Sequence, residues 1–168
     1  MKLNSKIEEA LNGQVNQEMS AAYGYLAASA WFESENFSGF AHWMELQRQE
    51  ELGHASRLIK YLQDRGGKLE LEAINKPRAN FDTVLDVFQE ALSSEEANTE
   101  SIHALYQLSV ENHDYSTQSF LKWFIDEQVE EESTMQEMIG LLKHAGNDPS
   151  ALLVLNDQVG KRTPEAES

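Results

Sequence analysis

Apolar positions recur every three to four residues through four long segments of the chain, which is the spacing of one face of an α-helix. The pattern predicts long helices over about 5–33, 38–65, 83–111 and 115–145. A shorter apolar segment at about 149–159 predicts a fifth helix. These elements predict an all-α protein whose core lies between four long helices.

Local signals mark the ends of two of the predicted helices. The spacing Ser5-x-x-Glu8 is that of a capping box, and it predicts that Ser5 opens the first helix. Asp148 followed by Pro149 combines an N-cap side chain with a proline in the first helical position, so the fifth helix is expected to begin there.

The connections between helices indicate how the bundle is threaded. The first and second helices, and the third and fourth, are joined by short turns, which favour two antiparallel hairpins. The link between the second and third helices is about fifteen residues long and contains Lys76-Pro77. That length predicts a crossover, with the second and third helices parallel. We expect one domain over residues 1–160 and a flexible tail over 161–168.

Polar side chains interrupt each of the four apolar stripes near the middle of its helix. A single polar residue on an apolar stripe usually means that the helical register was assigned wrongly or that the side chain reaches solvent. Four helices interrupted at about the same height form a pattern. The interrupting residues are Glu18, Gln47, Glu51, His54, Glu95, Gln128 and Glu131.

Burying these carboxylates unpaired costs too much free energy for a domain of this size. Each costs several kcal/mol even after relaxation, against a total stability of roughly 5–15 kcal/mol. No Lys or Arg lies on the four stripes, and His54 is the only candidate cation. Bound divalent cations compensate Glu18, Glu51 and Glu95 most simply, and oxygen ligands with one imidazole suit iron, manganese or zinc.

Composition narrows the chemistry further. The 168 residues include 29 acidic and 13 basic side chains, for a net charge of −16, and no cysteine. Disulfides, zinc fingers, iron–sulfur clusters and thiol catalysis are therefore excluded. The charge argues against binding to nucleic acids or to anionic membranes. We see no transmembrane run and no apolar signal segment, so the expected location is the cytoplasm.

Three strings resemble the ferritin family, specifically its bacterial non-haem type. They are Gln14-Val15-Asn16-Gln17-Glu18, Gln49-Glu50-Glu51-Leu52-Gly53-His54 and Glu127-Gln128-Val129-Glu130-Glu131-Glu132. The resemblance covers about residues 11–159. It implies a four-helix bundle with a long crossover and a short fifth helix, a topology known for such carboxylate bundles. It also implies an iron-storage protein whose 24 subunits form a cage.

By the same resemblance, particular residues acquire roles in a ferroxidase that oxidises Fe²⁺ with O₂. The resemblance implies two-iron ligands at Glu18, Glu51, His54 and Glu95, with Gln128 beside the second iron. Tyr25 matches a tyrosine that gives up an electron, although the residues alone are equally consistent with a core tyrosine whose hydroxyl is hydrogen-bonded. The carboxylates of a third iron position match Glu50, Glu127, Glu130 and Glu131.

Departures from related families are also informative. Haem-binding bacterioferritins have a second E-x-x-H motif on the fourth helix, where this chain has Gln128 and Glu131. They also have a haem-ligating methionine where this chain has Leu52, so we expect no haem. Gln118 and Leu121 stand where animal ferritins have channel acids, which puts that route for iron in doubt. Two alternatives remain open: a non-enzymatic four-helix interaction protein, and a di-metal oxidase that does not store iron.

Overall fold

The fold consists of five α-helices. The computed structural model describes residues 3–146 and 148–164, and within them it contains no β-strand. The helices are α1 (Ser5–Ser34), α2 (Ser38–Asp64), α3 (Val84–Glu111), α4 (Tyr115–Ala145) and α5 (Pro149–Val159). The predicted all-α architecture is therefore confirmed. None of the helices in the described residues is both long and apolar enough to cross a membrane.

The start of α1 corrects one prediction. Its N-cap is Asn4, whose side chain accepts a hydrogen bond from the backbone N–H of Lys6 at 2.9 Å, so Ser5 is already inside the helix. Glu8 does not close a capping box, because its carboxylate accepts the backbone N–H of Lys68 at 2.8 Å. Asn4 is therefore the local cap, and Glu8 binds the crossover, distant in sequence, instead of the helix start.

The other helix ends follow local chemistry. Thr83 caps α3 by accepting the N–H of Asp86 at 3.1 Å, and Asp114 caps α4 by accepting that of Thr117 at 3.1 Å. Asp148 caps α5 in the same way, and Pro149 begins that helix as predicted. These side chains satisfy N–H groups that lack partners within a first helical turn.

The crossover, residues 65–83, runs along the length of α1. Near its start, Lys68 O accepts from the Asn12 amide at 3.0 Å; near its end, Phe81 packs on Trp31 with ring centroids 5.6 Å apart. Phe88 at the start of α3 consequently lies near Phe40 at the start of α2, with ring centroids 5.8 Å apart. The second and third helices therefore begin at the same end of the bundle and are parallel, as predicted.

The bundle core is divided into two apolar clusters with a polar layer between them. One cluster contains Phe32, Phe40, Phe88 and Met135, and the other contains Leu11, Leu58, Ile102 and Phe124. Every long helix has buried polar residues between these two clusters, at the predicted height of the interruptions, although Ser109 and Thr117 are also buried, beyond the second cluster. Apolar packing above and below fixes the four helices, so the layer is positioned by its surroundings.

Helix α5 packs across the start of α2 without burying any residue of its own. The side-chain oxygen of Asn156 accepts the backbone N–H groups of Gly39 and Phe40 at 2.9 and 3.0 Å. The approach requires a glycine, because a Cβ on Gly39 would lie 1.7 Å from the backbone oxygen of Asn156. The flexible tail over 161–168 stays a prediction: residues 165–168 lie outside the described residues, although Arg162 contacts α2.

Candidate metal centre

Glu18 of α1 and Glu51 and His54 of α2 converge in the polar layer. One ligand atom from each lies within 4.8 Å of the others. His54 Nδ1 is 3.6 Å from Glu18 Oε2 and 3.6 Å from Glu51 Oε2, which is too long for a hydrogen bond. Because Glu51 and His54 are separated by one helical turn, both face the bundle axis beside Glu18. The three side chains thus face a common point, as ligands of one metal ion do.

Hydrogen bonding supports the presence of a cation between these residues. Both carboxylate oxygens of Glu51 and Nδ1 of His54 are buried without a hydrogen-bond partner among the described residues. Buried polar atoms are nearly always satisfied, and leaving them unpaired costs free energy. These atoms are the ones that face Glu18, so a metal ion bound there would satisfy them together.

Electrostatics distinguish the two glutamates. Burial raises the pKa of Glu51 well above its ordinary value, and the charge of Glu95 raises it further. Burial also opposes ionisation of Glu18, but the nearby His54 and Glu51 side chains and the hydrogen bond from Gln14 outweigh it and lower its pKa. Burial works against charging His54, yet Glu18 and Glu51 raise its pKa to about 11. The raised pKa values of Glu51 and His54 both reflect carboxyl groups crowded together in a buried site, an arrangement that a bound cation would stabilise.

Glu95 of α3 completes the layer beside Tyr25 and Gln128. The Tyr25 hydroxyl donates a hydrogen bond to Glu95 Oε1. Gln128 Nε2 lies 3.3 Å from Glu95 Oε2 and 3.2 Å from the Glu95 backbone oxygen. Burial and the neighbouring carboxylate of Glu95 raise the pKa of Tyr25 well above its ordinary value, so its phenol remains protonated. Tyr25 and Gln128 therefore hold the Glu95 carboxylate from two sides.

A second group of potential ligands shares His54. One atom each of His54, Glu127 and Glu131 lies within 4.8 Å of the others, and His54 Nε2 is 4.0 Å from Glu127 Oε1. The two ring nitrogens of His54 thus face the two groups. Burial and the charge of Glu95 raise the pKa of Glu131 to about 8, and Gln47 donates to Glu131 Oε2 at 2.8 Å.

The other two residues predicted for the third position, Glu50 and Glu130, are not part of this group. Glu50 forms an ion pair with Arg162 at 3.0 Å, with both side chains 19% exposed. Glu130 is solvent-exposed on α4. The structure thus brings Glu127 and Glu131 together at His54, and it places Glu50 next to a guanidinium.

Comparison with known proteins identifies the family of this centre. The profile of the ferritin-like domain matches residues 8–145. The chain belongs to the ferritin family. It is 38% identical over 98% of its length to a bacterial non-heme ferritin of Staphylococcus aureus, covering 99% of that protein. A Staphylococcus epidermidis protein of the same name is 37% identical, with 96% of this chain and 97% of that one covered.

Solved ferritin structures have the same fold. An open pore ferritin from the hyperthermophilic archaeon Archaeoglobus fulgidus superposes with a TM-score of 0.95 at 36% identity, covering 97% of this chain and 100% of that one. An engineered closed form of the Archaeoglobus fulgidus ferritin also gives a TM-score of 0.95 at 36% identity, covering 96% and 99%. The predicted four-helix bundle with a short C-terminal helix is thus confirmed as a ferritin fold.

The structure adds hydrogen-bonding residues that sequence reasoning on this ferritin missed. Gln14 Nε2 donates to Glu18 Oε1 at 2.8 Å and to Asn98 Oδ1 at 2.6 Å, and Asn98 Nδ2 lies 3.3 Å from Glu18 Oε2. These amides orient the Glu18 carboxylate, as groups behind metal ligands commonly do. Asn98 lies three residues after Glu95 on the same buried face, a spacing that could have identified it.

Proposed function

We propose that this ferritin stores iron and is a ferroxidase that oxidises Fe²⁺ with O₂. Two Fe²⁺ ions bind as substrates at Glu18, Glu51, His54 and Glu95. The observation that carries the proposal is the set of buried, unpartnered atoms of Glu51 and His54 facing Glu18. Sequence kinship with two non-heme ferritins supports the choice of iron among the metals that suit these ligands.

The ligand types suit oxidation followed by release. Carboxylates are hard ligands that stabilise Fe³⁺ more than Fe²⁺, so they favour loss of an electron at each iron. Carboxylates also shift between one and two coordinating oxygens, which lets the ferric product leave. Oxidation of two Fe²⁺ releases two electrons, which with two protons from water reduce one O₂ to hydrogen peroxide. Tyr25, hydrogen-bonded to Glu95, is placed to give a further electron and its phenol proton if reduction continues toward water.

A third iron position forms part of the proposal. Glu50, Glu127, Glu130 and Glu131 are its proposed carboxylates, and His54 is shared between Glu127 and Glu131 on one side and Glu18 and Glu51 on the other. Iron passing from the pair toward the mineral would encounter this group next. The cluster explains why Glu131 of α4 is buried and Glu127 is half-buried rather than open to bulk solvent.

The proposal extends to assembly and location. We propose a cage of 24 subunits in the cytoplasm that holds a ferric oxide mineral and binds no haem. Large apolar side chains exposed on the single chain support assembly, because a monomer rarely leaves many of them open to water. They include Tyr23, Leu26, Tyr115, Val129, Leu153 and Val154.

Substitution of the ligands tests the ferroxidase proposal. Glu18→Ala or His54→Ala should reduce the initial rate of Fe²⁺ oxidation in air by about tenfold or more, since each removes a ligand of the reacting metal. The measurement is the early absorbance rise after Fe²⁺ is added. Glu9→Ala is the control, because it removes an exposed carboxylate from the same helix. An unchanged early rise in both ligand variants would exclude this site.

A further inference from the structure

Beyond α5, the chain turns back over α2 and brings an arginine to the acidic cluster. Arg162 Nη2 donates to both carboxylate oxygens of Glu50, at 3.0 and 3.1 Å. Arg162 Nη1 donates to the side-chain oxygen of Gln47. Glu50 is one of the proposed third-position carboxylates, and its charge is already compensated by a cation from the protein itself.

Two further contacts hold this segment against one face of α2. His42 Nε2 lies 3.0 Å from the backbone oxygen of Arg162. The Arg162 guanidinium lies 5.0 Å from the centroid of the Trp43 ring, within the range of a cation–π interaction. Trp43, Gln47 and Glu50 follow one another at helical spacing, so a single side chain contacts all three. The placement is therefore specific rather than a chance surface pairing.

The Arg162 contact reaches a second proposed iron ligand through Gln47. Because the oxygen of the Gln47 amide accepts from Arg162, its nitrogen faces the other way and donates to Glu131 Oε2 at 2.8 Å. Glu131 belongs to the group formed with His54 and Glu127. One guanidinium thus engages Glu50 directly and Glu131 through an oriented amide.

We infer that Arg162 competes with iron for the third position and so sets how tightly that position holds iron. The inference rests on the proposed function of the cluster. A guanidinium and an iron ion cannot both occupy the same face of the Glu50 carboxylate, because like charges at that separation repel and the oxygen lone pairs are shared. Iron must displace the guanidinium to bind, which weakens its affinity and eases its onward release.

Neutralising variants of Arg162 test this competition. In the assembled protein, Arg162→Gln should lower the Kd of the weaker class of Fe²⁺ sites by about three- to tenfold, since it removes one partly buried charge. The tighter class, assigned to the Glu18 and His54 pair, should be unchanged. Anaerobic calorimetric titration with Fe²⁺ measures both. Arg162→Met should lower the same Kd while keeping an apolar side chain against Trp43. Agreement between the two variants would show that the effect comes from loss of the charge and not from the glutamine side chain.

Lys161→Gln provides a matched control. It makes the same change in net charge one residue away, but Lys161 Nζ pairs with Asp157 at 2.7 Å and its side chain is 72% exposed. We expect wild-type titration from this variant. In a Glu50→Gln background, Arg162→Gln should give no further gain, because the contested carboxylate is gone.

The outcomes separate this inference from the proposed function. The competition by Arg162 would be overturned if the Kd of the weaker Fe²⁺ sites were unchanged in both Arg162 variants. It would also be overturned if Lys161→Gln lowered that Kd equally. If wild-type protein instead shows no Fe²⁺ binding that depends on Glu18 and His54, then the proposed function itself fails. If the Arg162 variants keep the wild-type affinity at both the tighter and the weaker Fe²⁺ sites, the ferroxidase proposal stands and only the role of Arg162 is rejected.

Discussion

At the scale of single residues, two buried carboxylates of this protein differ in their hydrogen bonding. Glu51 has no hydrogen-bond partner for either oxygen among the described residues. Asp114, in contrast, receives both terminal nitrogens of Arg65, at 2.9 and 3.1 Å, and caps α4. A carboxylate placed for stability is fully paired, whereas one left open indicates a site for a ligand.

The Asp114–Arg65 pair should make stability depend on pH. Burial raises the pKa of Asp114, but hydrogen bonds from Arg65 and Thr117 outweigh it and hold the pKa below its ordinary value. The charged form is therefore the stabilising one, and its contribution is present above pH 4 and lost as the pH falls through the folded-state pKa. Asp114→Asn keeps a capping side chain and should cost about 1–3 kcal/mol near pH 7.

Urea unfolding of both proteins at pH 7 and at pH 3 measures this contribution. The difference in unfolding free energy between wild type and Asp114→Asn should shrink at the lower pH. Asp126→Asn, which alters an exposed aspartate on the same helix, serves as the control. A difference that stays constant between the two pH values would show that the ion pair does not contribute.

Residues of the metal centre were predictable to different degrees. Glu18, Glu51 and Glu95 interrupt apolar stripes, so their burial follows from helical period alone. Gln14 was not assigned a role, because an amide that orients a ligand has no motif of its own. Arg162 could not be found at all, since its partners lie more than a hundred positions earlier and are brought near it only by the packing of α5.

At the scale of helices, prediction succeeded where ends are encoded locally. The backbone of Gly66 and of Gly146 has positive φ, a conformation that glycine adopts without strain, and helices end beside both. The start of α1 at Ser5 was predicted, but its capping residue was misassigned by one position because Asn4 and Ser5 are both good caps. The choice between them depends on Glu8, which is engaged by the crossover instead.

Attachment of α5 depends on one glycine, and this can be tested. Gly39→Ala places a methyl group 1.7 Å from the backbone oxygen of Asn156, so α5 must move away and its hydrogen bonds to α2 are lost. We expect a loss of about 1–3 kcal/mol from overpacking and broken bonds. Backbone amides of α5 should exchange with deuterium faster in this variant.

Gly53→Ala is the matched control for that substitution. It adds the same methyl group to the same helix, where nothing lies within 4 Å of the added carbon. Because alanine favours helix over glycine, this variant should be as stable as wild type or slightly more so. If α5 exchanges equally slowly in both variants, the close approach of Gly39 does not hold the helix.

At the scale of the whole molecule, the net charge of −16 divides into two parts. Several of the acidic side chains lie in or beside the polar layer and are proposed iron ligands, namely Glu18, Glu50, Glu51, Glu95, Glu127, Glu130 and Glu131. The other acidic residues in the described part of the chain are exposed or half-buried, except Asp114. The hydrophobic pattern of one chain does not reveal the assembly. The pattern does not distinguish an apolar residue at a subunit interface from one that is exposed to solvent.

Mineral formation is the property that separates the proposed function from its alternatives. A cage of 24 chains should elute near half a megadalton, whereas a single interaction bundle elutes near 19.0 kDa. Aerobic loading should then deposit far more iron per chain than the proposed ligand sets can bind, because oxidised iron leaves the centre for the interior of the cage. Iron and protein assays on the eluted particle measure the ratio.

Each contrary result has a distinct meaning. A particle of the size of one chain would exclude the cage and favour the interaction bundle. A large particle that retains only two or three irons per chain would identify a di-metal oxidase without storage. Glu130→Ala should preserve the first rapid oxidation and slow later additions of iron, because Glu130 is proposed to act after the pair. Equal loss of the first oxidation in this variant and in Glu18→Ala would remove the distinction between the two positions.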